Sequence, residues 1–146
     1  MSIALQPFEA RATLRYRALL VDDEPLLRKV LARALSQVGF EVVEATNGQR
    51  ALEHLEQGAF DLVVSDVRMP VMNGLELLEA VAARRPALPV VLMSGSDEVA
   101  DRSSAIGLGA VDFLVKPFST SELQRKALRV ALSGQPDKSG ELPANQ

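Results

Sequence analysis

Leu62-Val63-Val64-Ser65-Asp66-Val67-Arg68-Met69-Pro70 is an apolar run that ends on a carboxylate and meets a proline-marked turn at once. Four to eight apolar residues bounded by turn signals read as a buried strand. Asp66 then sits where a central strand leaves its sheet. In an open parallel α/β sheet, ligands bind outside the carboxyl ends of the strands. Three further runs follow the same pattern. Leu19-Leu20-Val21 leads into Asp22-Asp23, Val90-Val91-Leu92-Met93 into Ser94-Gly95, and Val111-Asp112-Phe113-Leu114-Val115 into Lys116-Pro117. If these strands are parallel, an acid, an acid pair, a hydroxyl and an amine converge on one edge.

The pattern around these runs supports that reading. Residues 17–22 form the first expected strand. Pro25 suits the first turn of a helix, where its missing N–H costs nothing. Leu26, Leu27, Val30, Leu31, Ala34, Leu35 and Val38 give that helix an apolar face, and Gly39 stops it. Phe40 to Ala45 is the second strand. Asn47 caps a second helix carrying Ala51, Leu52 and Leu55, which Gly58 ends. After the strand ending at Asp66, Asn73 and Glu76 have capping-box spacing. Leu75, Leu78, Val81 and Ala82 form the apolar stripe of the third helix. Ser96-Asp97-Glu98 opens a fourth helix over 97–107, with Val99, Ser103 and Ile106 near one face; it is the poorest in large apolar groups. Ser119 and Glu122 open a fifth, which runs to about Leu132 on Leu123, Ala127, Leu128 and Ala131. A helix in every connection implies parallel strands with right-handed crossovers. The expected fold is α/β, a doubly wound five-stranded parallel sheet.

Composition bounds the function. The 146 residues suit one domain, able to bury about two-thirds of its unfolded surface. Apolar residues make up 47% and charged residues 24%, an ordinary globular balance. Sixteen basic against nineteen acidic side chains leave a net charge of −3, which gives no reason to expect direct nucleic-acid binding. The absence of cysteine excludes disulfides, thiolate zinc sites and thiol catalysis. No run approaches the roughly 18 apolar residues of a membrane span. Residues 1–10 lack a basic start and hold Pro7 and Glu9, unlike a signal peptide. A soluble cytoplasmic protein is expected.

The chemistry follows from the converging residues. Asp22, Asp23 and Asp66 place three carboxylates together, and such groups raise one another's pKa unless a cation intervenes. An oxygen-only ligand set suits Mg²⁺. Taken singly, each piece has a plainer reading: Asp22-Asp23 as caps before Pro25, Asp66 as a loop residue, Ser94-Gly95 and Lys116-Pro117 as turns. Together they fit phosphoryl transfer. A carboxylate such as Asp66 attacks phosphorus to form an aspartyl phosphate. A metal and Lys116 offset charge on the phosphoryl oxygens, and Ser94 donates to another of them.

On Val21-Asp22-Asp23, Asp66, Met69-Pro70 with Asn73-Gly74, Ser94-Gly95 and Lys116-Pro117-Phe118, the chain resembles the receiver domain of bacterial two-component response regulators. The resemblance covers residues 17–132. It implies a flavodoxin-like fold with strand order 2-1-3-4-5, and Asp66 as phosphoacceptor from a phosphohistidine on a sensor kinase or phosphotransfer protein. It also implies Mg²⁺ held by Asp23, Asp66 and the backbone carbonyl of Arg68, with Asp22 acting largely through water. Ser94 becomes the switch hydroxyl and Phe113 the switch aromatic, with a cis bond between Lys116 and Pro117. Serine stands where threonine is the commoner family choice, so the hydroxyl is kept without the methyl group. Phe113 has no phenol, so its signal must be one of packing. Arg68 and Ser96 flank the pocket and should influence how long the phosphoryl group lasts.

Rival readings fit less well. A Mg²⁺-dependent aspartyl-phosphate phosphatase of the haloacid-dehalogenase type wants an acid two residues past the nucleophile, where Arg68 stands. A flavodoxin-like cofactor site wants a phosphate cradle after the first strand, where Asp22-Asp23-Glu24 would repel phosphate. A phosphorylation-independent docking module usually lacks an acid or the lysine, and both remain. His54, the only histidine, lies beside Glu53 and Glu56 on a polar helix face and reads as a solvated residue rather than a phosphotransfer histidine. Residues 1–16 form an arm and 133–146 a flexible tail rich in Gly, Pro, Ser and charge. Neither is long enough for an effector domain, so the expected reading is a non-enzymatic signalling unit, stand-alone or part of a larger protein. Its output partner, or a homodimer, would use the surface of the fourth helix, fifth strand and fifth helix.

Overall fold

The computed structural model describes residues 15–95 and 99–133. The expected Ser96-Asp97-Glu98 cap, nearly all of the N-terminal arm and nearly all of the C-terminal tail lie outside the described residues. Strands and helices alternate throughout: β1 (Tyr16–Val21), α1 (Pro25–Gln37), β2 (Phe40–Ala45), α2 (Gly48–Gln57), β3 (Leu62–Asp66), α3 (Gly74–Arg84), β4 (Val90–Gly95), α4 (Val99–Gly107), β5 (Asp112–Lys116) and α5 (Thr120–Ser133). The five strands form one parallel sheet in the order β2-β1-β3-β4-β5, the expected doubly wound arrangement.

Strand periodicity divides the core into two layers. Successive side chains point to opposite faces. In β1, Ala18 and Leu20 join Leu31, Leu35, Leu123 and Ala127, so α1 and α5 cover that face. Leu19 and Val21 join Leu52, Leu55, Leu77 and Val81 on the other face, under α2 and α3, with Ala105 of α4 at its margin. A strand covered on both sides reads as a continuous apolar run, and every residue of β3 is buried. Leu19, Leu20, Leu62, Leu92 and Leu114 are fully buried, and each such side chain contributes about 1.5–3 kcal/mol.

The helix starts follow local chemistry. Pro25 occupies the first turn of α1, as expected, after an N-cap Glu24 that makes no side-chain cap bond. The Asn47 side chain accepts from the Arg50 amide. Asn73 and Glu76 form a complete capping box, with bonds of 3.0 and 2.9 Å. The Ser119 hydroxyl accepts from the Glu122 amide.

Several buried faces differ from the expected ones. In α1, Leu26 and Val30 are exposed by 82% and 53%. The stripe that packs is Leu27, Leu31, Ala34, Leu35 and Val38, and Leu26 and Val30 fall one position aside, about 100° round the helix. In α3, Ala82 is exposed and Leu77 is buried instead. That stripe runs Gly74, Leu77, Leu78 and Val81, the regular i, i+3, i+4, i+7 spacing. In α4, Ile106 and Ser103 face solvent, and Ala105 is the buried residue. Strand β1 ends at Val21, one residue early, so Asp22 lies just beyond it. Val111 is 53% exposed and precedes β5.

One backbone position carries a local cost. Val71, in the β3–α3 connection, has φ of 73° and is 78% exposed. The left-handed region costs an L-residue roughly 1–2 kcal/mol, and a β-branched side chain is the poorest fit there. Since the side chain packs against little, Val71→Gly should raise stability by about 1 kcal/mol. Urea unfolding of the two proteins, compared at neutral pH, checks this; equal or lower stability of the glycine variant contradicts it.

Candidate functional site

Parallel strands share one C-terminal edge, and the register aligns their ends. Val21 lies beside Ser65, Asp66 beside Met93, Ser94 beside Val115 and Gly95 beside Lys116. The four polar strand ends anticipated from the sequence therefore meet at one edge. Asp22, Asp23 and Asp66 come together there: carboxylate oxygens of all three lie within 4.8 Å of one another.

The two neighbouring acids are not equivalent. Asp22 is completely buried, whereas Asp23 is exposed. The Asp22 amide donates to the Ala45 carbonyl at 3.1 Å, which fastens this loop to the end of β2. Its Oδ1 accepts from the Glu24 amide at 2.9 Å. That bond shapes the turn before α1, whose N-cap is Glu24, so neither aspartate serves as the cap. Asp22 Oδ2 is buried with no hydrogen-bond partner. Lys116 Nζ stands 3.2 Å from Asp66 Oδ1.

Burial dominates the electrostatics. Asp66 is only 6% exposed. Desolvation pushes its carboxyl up to about 6; the Lys116 charge opposes this and the Asp22 charge adds to it. Asp22 is also raised, first by burial, against the Glu24 amide bond and the Lys116 charge, with Asp23 and Glu24 adding repulsion. One lysine cannot balance three neighbouring carboxylates. A buried carboxylate oxygen without a partner, in an oxygen-only cluster open on its Asp23 side, fits a hard divalent cation such as Mg²⁺.

Backbone geometry holds Asp66 in place. A Cβ on Gly74 would collide with the Asp66 carbonyl oxygen, so only glycine lets α3 start against the end of β3. The Gly74 amide donates to the Val67 carbonyl at 2.9 Å. The sequence marks Asn73-Gly74 as a motif without revealing this close approach, which depends on where α3 begins in space.

The remaining candidates are distributed as follows. Ser94 is buried at the end of β4, directly after the residue paired with Asp66. Arg68 is exposed two residues past Asp66. Phe113 is buried in β5, and the Arg102 guanidinium of α4 lies 5.7 Å from its ring centroid, a proximity the sequence did not disclose. The Lys116–Pro117 bond is cis. Ser96, expected to flank the pocket, is outside the described residues. His54, expected to be solvated, is instead half-buried in the last turn of α2.

The raised Asp66 carboxyl makes a pH-dependent prediction for the metal-free protein. The unfolded group titrates near 3.8 and the folded one near 6. Between those values the folded state holds more protons, so stability falls as pH rises through this window and stays reduced above it. Asp66→Asn should therefore stabilise the metal-free protein at neutral pH by on the order of 2–3 kcal/mol. That advantage should shrink as pH falls below about 6 and vanish below 3.8. Urea unfolding in chelator across this range checks it, and a gain independent of pH contradicts it.

Comparison with known proteins agrees with the geometry. The family model described as the response regulator receiver domain matches residues 18–128. The probable transcriptional regulatory protein TcrX of Mycobacterium tuberculosis is 37% identical over 105 residues, covering 72% of this chain and 45% of that protein. Response regulator protein FleR of Pseudomonas aeruginosa is 39% identical over 130 residues, covering 89% of this chain and 26% of that protein. The chain thus spans less than half the length of these curated relatives. Among solved structures, the receiver domain of NtrX from Brucella abortus matches with a TM-score of 0.76 at 36% identity, over 80% of this chain and 98% of that one. The chain belongs to the response regulator receiver domain family.

Proposed function

We propose that this receiver domain accepts a phosphoryl group on Asp66 from a phosphohistidine of a sensor kinase or histidine phosphotransfer protein. The observation that carries the reading is the position of Asp66: buried at the end of a central strand, 3.2 Å from Lys116 and clustered with Asp22 and Asp23. An Asp66 carboxylate oxygen attacks phosphorus, the P–N bond breaks, and its electron pair returns to the donor imidazole. Lys116 follows the developing charge from the carboxylate onto a phosphoryl oxygen. The Ser94 hydroxyl donates to another. Asp22, Asp23, Asp66 and the backbone carbonyl of Arg68 would hold Mg²⁺, with Asp22 reaching it largely through water. When bound, Mg²⁺ supplies positive charge to the phosphoryl oxygens during transfer.

The output is a change of surface. As Ser94 moves toward the phosphoryl group, space opens beside β4 and Phe113 repacks. Support for α4 as the mobile element is its thin anchoring: among the described residues of α4 only Ala105 is buried, and Arg102 rests on Phe113. By contrast β5 and α5 are tied through Asp112, which pairs with Lys126 at 3.0 Å and Arg129 at 2.5 Å. The surface of α4, β5 and α5 then meets an output partner or a second copy of the chain. Direct nucleic-acid contact is no part of this reading for residues 17–132, although TcrX carries the name of a transcriptional regulator. No described helix is long and apolar enough to cross a membrane; the proposed location, beside the kinase's phosphohistidine, is the cytoplasm. The domain acts as a phosphoacceptor that assists its own phosphorylation and dephosphorylation, not as an enzyme on other substrates.

Incubation with a small-molecule phosphodonor and Mg²⁺ should add one phosphoryl group, labile to base and hydroxylamine, that mass spectrometry places on Asp66. Asp66→Ala should remain unlabelled; labelling at the wild-type rate sinks the assignment. Ser94→Ala should still accept phosphate but lose the surface change. Hydrogen exchange with beryllofluoride should alter protection across residues 99–125 in the wild type. Changes confined to α1 and α2 contradict the proposed output surface.

A further inference from the structure

Arg28 is not part of the phosphoryl site, yet its side chain reaches the same edge of the sheet. It lies in the first turns of α1, shortly after the chain leaves β1, and its side chain is only 13% exposed. Its Nη1 donates to the backbone carbonyl of Asp22 at 2.9 Å. Its Nε donates to Glu44 Oε1, also at 2.9 Å. Glu44 is the penultimate residue of β2, and the next residue, Ala45, accepts the Asp22 amide. The peptide groups on both sides of the Asp22 Cα are therefore held, one by β2 directly and the other by β2 through Arg28 and Glu44.

This arrangement constrains the acid pair. Asp22 aims one carboxylate oxygen into a buried position with no partner, and Asp23 faces solvent beside it. The carbonyl of Asp22 belongs to the peptide that joins the two residues. Rotation of that peptide would re-aim Asp23 relative to Asp66. A planar guanidinium, whose Nε and Nη1 donors are rigidly placed relative to each other, can hold a carboxylate and a carbonyl at once, which an ammonium group does less well. We propose that Arg28, anchored by Glu44, is the positioning residue that sets the Asp22–Asp23 peptide and so fixes the acid pair for cation binding beside Asp66. The inference rests on the phosphoacceptor reading and adds to it a residue on α1 outside the acid–lysine–hydroxyl set.

The sign of one effect separates this role from simple electrostatics. Arg28 is a cation close to a cation site. Were charge its only influence, its removal would tighten Mg²⁺ binding. A positioning role requires the opposite. Titration calorimetry of Mg²⁺ should show Arg28→Ala weakened by about tenfold, the range found when a group supporting a metal ligand is removed. Arg28→Lys keeps the charge, so any loss of affinity in it reports geometry; it should also bind more weakly, by a smaller factor. A metal-free readout accompanies these. The Glu24 amide, bonded to Asp22 Oδ1 at 2.9 Å, should exchange its hydrogen faster in Arg28→Lys than in the wild type. Unchanged or tighter Mg²⁺ binding in folded Arg28→Ala overturns the proposal, whatever its melting temperature. If that variant does not fold, unchanged affinity and unchanged Glu24 exchange in Arg28→Lys overturn it instead. A wild type that binds no Mg²⁺ overturns the phosphoacceptor reading as well, so the two failures are distinct.

Discussion

Three carboxylates held within 4.8 Å of one another, one of them fully buried, are the constraint that the rest of the structure has to satisfy. Nothing in their mutual charge favours this arrangement. In the absence of a cation the cluster opposes folding, and burial raises both Asp22 and Asp66 toward their neutral forms. The energy that holds them comes from elsewhere. Two apolar layers cover both faces of the sheet, and the parallel register leaves the strand ends no freedom to separate. Lys116 neutralises part of the charge from the far side of the cluster. The fold tolerates such a site, and a divalent cation of the proposed kind would relieve its repulsion.

The same layering bears on the proposed output surface. One face of the sheet is closed by α1 and α5, joined further by Gln124 donating to the Ala34 carbonyl at 2.8 Å. The other carries α2 and α3 firmly, with α4 at its margin. Phe113 belongs to that second layer and lies under Arg102, so its packing is shared with the least anchored helix. Regions with few buried apolar contacts open at low free energy, and a bistable element is most economically built from one.

Much of this was legible in the amino-acid order, for identifiable reasons. Apolar runs that end in polar groups mark strand ends, and helices between them force a common direction. These two features place Asp22, Asp23, Asp66, Ser94 and Lys116 at one edge, and strand order 2-1-3-4-5 comes with the family resemblance. Helix faces were read less well. An apolar residue one position off a stripe, such as Leu26 or Val30, looks the same in one dimension as one on it. Adjacent identical residues hide their difference: Asp22 is buried and Asp23 exposed because the chain turns between them, under bonds to Ala45 and Glu24. The Gly74 approach to Asp66, the reach of Arg28 to Glu44 and the placing of the Arg102 guanidinium over the Phe113 ring all join residues separated along the chain. Each needs the register before it can be seen.

The fold brings Asp22, Asp23 and Asp66 together, and the three acids are proposed to form a cation site. The most direct test is the melting temperature of the unphosphorylated protein as Mg²⁺ is raised at neutral pH, in wild type and Asp23→Asn. A ligand that binds only the folded state adds about 2.7 kcal/mol at a hundred times its dissociation constant. The wild type should therefore melt at progressively higher temperature as Mg²⁺ increases, and the Asp23→Asn curve should be displaced to higher Mg²⁺. A wild-type melting temperature indifferent to Mg²⁺, or coincident curves for the two proteins, contradicts the account.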